Sequence, residues 1–81
     1  MVKERIKFVI SNENVNYYII CTDDEGGISY GIYAETGNEK TDYSSVKNVF
    51  FTEDEALLRC KWLCENDVYP VALLDTLRNM V

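Results

Sequence analysis

The chain has 81 residues, 47% hydrophobic and 27% charged, with 8 Lys plus Arg against 14 Asp plus Glu, no His and a net charge of −6. This composition describes one small domain with a packed core and excludes a disordered, collagen-like or disulfide-stapled chain. The acidic balance argues against nucleic acid or anionic lipid as a partner, because both are bound by Lys and Arg neutralising phosphate.

The first element expected is a strand over 4–11, where Ile6, Phe8 and Ile10 alternate with Arg5, Lys7 and Val9. Lys3, Arg5 and Lys7 recur at every second position, as on a solvated sheet edge. Asn12-Glu13-Asn14 is a hairpin turn leading into a strand over 15–22, with Val15, Tyr17, Ile19 and Cys21 on one side and Tyr18 and Ile20 on the other. The glycine pair Gly26-Gly27 turns the chain again into a strand over 28–35, carrying Ile28, Tyr30, Ile32 and Ala34 in phase. A polar loop over 36–41 then leads to a fourth, less regular strand over 43–50.

At Phe51 the period changes to that of a helix over 53–65. Thr52 followed by Glu53-Asp54-Glu55 fits an N-cap with its capping box, and the acids suit the positive end of the helix dipole. Phe51 is expected to staple onto Ala56, and Asn66 to take the left-handed cap conformation. Pro70 then opens a second helix over 70–80, with Leu73, Leu74, Leu77, Met80 and Val81 on one stripe. The expected fold is a single α+β domain over 1–81, an antiparallel meander sheet of three to four strands with two C-terminal helices packed on one face.

No catalytic constellation emerges. Without His there is no common proton shuttle, no Ser/His or Cys/His pair and no imidazole ligand. Cys60 and Cys64 lie four residues apart and share an apolar arc with Ala56, Leu57 and Leu63, which makes them packing residues; with a distant Cys21 they fall short of a zinc set. Asp23-Asp24-Glu25 and Glu53-Asp54-Glu55 match no calcium loop and read as a turn and a helix start. Neither a catalytic residue, a cofactor site nor a metal site is therefore assigned, and no cofactor is expected.

What remains is surplus apolar surface. Leu58 and Trp62 fall on the side of the first helix opposite its cysteine stripe, where either the second helix or a partner chain covers them. If Ile6, Phe8, Tyr17, Ile19, Tyr30 and Ile32 face the helices, then Val9, Tyr18, Ile20 and Tyr33 gather on the open side of the sheet. These six residues, Leu58, Trp62, Val9, Tyr18, Ile20 and Tyr33, form the candidate interaction surface.

The run from Val46 to Leu77, with Tyr30-Gly31-Ile32 in the sheet and Asn66-Asp67-Val68-Tyr69-Pro70 at the helix break, resembles a family of small uncharacterised clostridial (Firmicutes) proteins. Those proteins pair an N-terminal sheet with a helix, an N-x-V-S-P-type break and a final amphipathic helix. Tyr69 stands where that pattern has a capping Ser. The resemblance implies the same fold and a bacterial cytoplasmic origin, and it carries no activity or site.

Three cysteines without framework spacing, the absence of an apolar leader after Met1 and the absence of an eighteen-residue apolar run add to the expectation of a cytoplasmic protein that contacts no membrane. The function expected is protein–protein interaction or self-association, with a homodimer as one form of it, without catalysis. The alternative is a small-ligand sensor or minor enzyme with a pocket between sheet and helices.

Overall fold

The computed structural model describes residues 3–37 and 42–80. In chain order they form β1 (Lys3–Ser11), β2 (Val15–Asp24), β3 (Gly27–Thr36), β4 (Tyr43–Phe50), α1 (Glu53–Glu65), a 3-10 turn (Pro70–Ala72) and α2 (Leu73–Met80). The strands make one antiparallel sheet in the order β1-β2-β3-β4. This is the expected four-stranded meander with two C-terminal helices, a mixed α+β fold. Residues 38–41 of the expected polar loop lie outside the described residues, as do the Met80 side chain and Val81 of the apolar stripe.

The turns follow from local chemistry. The Asn12 side-chain oxygen accepts from the amides of Asn14 and Val15, both at 2.8 Å, so the side chain substitutes for a backbone partner and closes the first hairpin. Asp24 pairs with Gly27 across a two-residue turn in which the Asp24 carboxylate accepts from the Gly26 amide, and Gly27 takes φ +120°, a region that disfavours any side chain.

The core lies between the helices and the face of the sheet built from Val15, Tyr17 and Ile19 of β2 and Ile32 and Ala34 of β3. Phe50 joins it from β4, with Ala56, Cys60 and Leu63 from α1 and Leu73 and Leu77 from α2. Cys60 is thus the packing residue its spacing implied, while Cys64 is only partly buried.

Both ends of α1 differ in detail from expectation. Thr52 caps the helix by accepting from the Glu55 amide at 3.2 Å, but the Glu55 carboxylate takes the Thr52 hydroxyl rather than reaching back to the backbone amide. Phe51 is 87% exposed and makes no staple, because Phe50, one residue earlier, has taken the buried position. At the other end Asn66 keeps φ −99°, and Asp67 takes the left-handed conformation at φ 50°. The Asp67 amide then donates to the Cys64 carbonyl and the Val68 amide to the Leu63 carbonyl, a Schellman closure one residue later than the sequence suggested. Tyr69 provides no side-chain cap, and the following turn is 3-10 before it relaxes into α2.

Candidate interaction surface

The helices cover one face of the sheet, and residue parity on each strand decides what the other face offers. Strand β1 carries a bulge: Phe8 pairs with Tyr18, but Ile10 pairs with Tyr17, so Val9 and Ile10 together oppose one residue. An inserted residue shifts the side-chain phase. Ile6 and Phe8, expected against the helices, therefore pair with Ile20 and Tyr18 on the outer face. Val9, expected outside, instead packs against the core with Ile10. Val9 drops out of the candidate surface for this reason, and Ile6 and Phe8 enter it.

The outer face is crossed by a row of four aromatic rings, one from each strand. Phe8 meets Tyr18 edge to face at 5.5 Å, Tyr18 meets Tyr33 edge to face at 5.4 Å, and Tyr33 stacks with Tyr43 at 6.3 Å. Such separations and tilts are those that aromatic quadrupoles favour. The two ends of the row are open, Phe8 at 53% and Tyr43 at 70% exposure, while Tyr18 and Tyr33 are half-buried. Beneath the row, Glu35 accepts from the Tyr18 hydroxyl at 2.9 Å and from the Tyr33 hydroxyl at 3.1 Å. That carboxylate raises both hydroxyls above the ordinary tyrosine value, as the first cause at Tyr18 and after burial at Tyr33.

Ile20 also points to this side but is only 1% exposed and offers nothing to a partner. Its burial follows from the way the far strand folds over. In β4 the pairing shifts between Val46 and Phe50, Asn48 takes φ 60°, and the segment passes so close to Gly31 that Val46 and Lys47 backbone atoms occupy the space of a side chain there. Lys47 then pairs with Glu4 of β1 at 2.8 Å, across the side on which Ile20 and Thr22 lie. The Thr22 hydroxyl is buried with no hydrogen-bond partner among the described residues.

The second predicted patch is open. Leu58 is 67% and Trp62 40% exposed, because α2 packs on β4 and the 3-10 turn rather than folding back over that side of α1. Leu58 and Trp62 are thus on a different surface from Tyr18 and Tyr33: one pair lies on the solvent side of α1, the other on the opposite side of the sheet.

The three cysteines are free and dispersed. Cys60 is fully buried beside the Tyr18 carbonyl, and burial pushes its thiol up to about 12. Cys64 lies near the first hairpin with Asn12, Asn14 and Asp67, whereas Cys21 lies further along β2 near Arg5 and Tyr30. Among the described residues no group of three or more Cys, Asp or Glu is placed to hold a metal ion, and no helix is long and apolar enough to cross a membrane. A cleft opens between β4 and α2, lined by residues the sequence reading did not name for the pocket it weighed between sheet and helices; periodicity assigns Leu74 and Leu77 to a core stripe and has no means of showing that the stripe overhangs the sheet.

Comparison with protein-family models, with curated proteins and with solved structures finds no match to this chain. None of the three bears on the clostridial resemblance.

Proposed function

We propose that this protein acts by contact, as a self-associating module whose outer sheet face meets the same face of a second copy. The observation that carries this reading is the aromatic row Phe8, Tyr18, Tyr33 and Tyr43, with Ile6 beside it, on a sheet face that neither α1 nor α2 covers. Aromatic groups of this kind supply large contact area at small entropic cost and recur at the centres of interfaces.

Charge supports a second copy as the occupant. On this face Glu4 is neutralised by Lys47, and Glu35 already accepts two tyrosine hydroxyls. Two such faces can meet with both of these carboxylates already holding partners, Glu4 an ion pair and Glu35 two hydroxyl donors, which lowers the usual obstacle to association of acidic chains. The three free cysteines are in keeping with a reducing compartment such as the cytoplasm.

Sedimentation velocity over a thousandfold range of concentration tests the reading. The expected result is a concentration-dependent rise in sedimentation coefficient for the native chain, lost in Phe8→Lys and Tyr43→Lys and kept in Leu58→Lys. A native chain that stays monomeric throughout, or a Phe8→Lys variant that associates as well as the native one, overturns it.

A further inference from the structure

We infer that the cleft between β4 and α2 is a binding site for a small amphiphilic anion, an aliphatic carboxylate whose tail enters the cleft and whose head is held by Arg59 and Arg78. The cleft measures about 340 Å³, at the small end of the range for ligand pockets. Its walls are Val46, Val49 and Phe50 from β4 and Leu74 and Leu77 from α2. Leu77 and Phe50 form its buried floor, whereas Leu74 and Val49 stay partly open to solvent at the sides. A tail in this space removes apolar surface from water that the fold itself leaves wet.

The charge around the cleft names the head group. Two of the chain's three arginines line it, Arg59 from α1 and Arg78 from α2, although acids outnumber bases by six in the whole sequence. Among the described residues no carboxylate lines the cleft, and neither arginine forms an ion pair. Arginines on an acidic protein ordinarily find a carboxylate partner; here two of them converge on an apolar cleft instead. A guanidinium presents paired donors that match a carboxylate in a bidentate fork, so the missing partner fits an anionic head attached to an apolar tail. The site is separate from the aromatic face of the sheet and does not depend on self-association.

The test uses the full chain and sodium octanoate, followed by methyl and amide NMR. Saturable shifts are expected at Val46, Val49, Leu74 and Leu77, with 1-octanol binding at least tenfold more weakly and acetate giving no saturable shift at these methyls. Arg78→Gln and Arg59→Gln are each expected to weaken octanoate about tenfold or more, the scale of one charge-assisted hydrogen bond. Arg78 is exposed, so its variant keeps the fold and remains decisive should Arg59→Gln unfold. Octanoate shifts that rise linearly without saturation, octanol binding as tightly as octanoate, or an Arg78→Gln variant that binds octanoate unchanged overturns the proposal.

Discussion

Lys47 and Glu4 stand on strands at opposite edges of a four-stranded sheet, yet their side chains meet at 2.8 Å. An ion pair between β4 and β1 has to pass over the outer side of β2 and β3, and the residues on that side next to Glu4 in register, Ile20 and Thr22, are the buried ones. Both charged groups are partly exposed, so the charge–charge attraction itself contributes little, about 0–1 kcal/mol. Lys47 is expected to matter more through its methylene stem, which reaches across the side where Ile20 and Thr22 lie.

Those two contributions separate by substitution. Lys47→Met keeps a stem of comparable length without the charge and is expected to cost under about 0.5 kcal/mol in urea unfolding, whereas Lys47→Ala removes both and should cost about 1–1.5 kcal/mol. Equal costs for the two variants would mean that the charge dominates.

Gly31 is required by space. Its backbone does not take positive φ, yet a Cβ there would collide with the Val46 carbonyl oxygen and stand 2.7 Å from the Lys47 Cα. Both obstacles are backbone, which cannot swing aside as a side chain can. Gly31→Ala is therefore expected to destabilise by about 2–4 kcal/mol, measured by urea midpoint, or to force the β4 bulge into another pairing visible as widespread amide shifts. A variant as stable as the native chain with an unchanged β4 spectrum would contradict this.

Tyr17 ties the sheet to the end of α1: its hydroxyl donates to the Val68 carbonyl at 2.7 Å and lies 3.2 Å from the Leu63 carbonyl. Tyr17→Phe leaves both without that donor and is expected to cost about 1–2 kcal/mol near neutral pH. Burial, aided by the nearby Cys64 and Asp67, pushes the Tyr17 hydroxyl up from 10.0 to about 12. A raised folded-state value for an acid means that the folded chain holds the proton more tightly than the unfolded one. The associated stability is fully present below pH 10 and is lost as pH rises from 10 through 12. The stability gap between native and Tyr17→Phe should therefore narrow across that window in urea titrations. Cys60, also pushed to about 12, leaves alkaline sensitivity in the variant. A gap that is constant from pH 9 to pH 12 would refute the assignment.

The elements were legible because their signals are local. Alternation from Val15 through Ala34, the Thr52 cap and Pro70 each act within a few residues, and the strands and helices stand where these place them. The phase of β1 was not legible: Ile6, Phe8 and Ile10 alternate without interruption, and only pairing with Tyr17 and Tyr18 reveals the extra residue at Val9. Alternation puts Ile20 on the correct side but says nothing of its burial, since no local signal reports that β4, two positions away in the sheet order, closes over it. For Leu58 and Trp62 a helical wheel locates the pair but leaves undecided what α2 covers, which depends on its packing against β4. Arg59 and Arg78, nineteen positions apart, converge only in three dimensions.

The central claim is that two copies meet through the aromatic side of the sheet. Isotope-filtered NMR on an equimolar mixture of carbon-13-labelled and unlabelled chain reports contacts between copies alone. Cross-peaks joining the rings of Phe8, Tyr33 and Tyr43 between copies are expected. Their absence at millimolar concentration, or cross-peaks confined to Leu58 and Trp62, would contradict the claim.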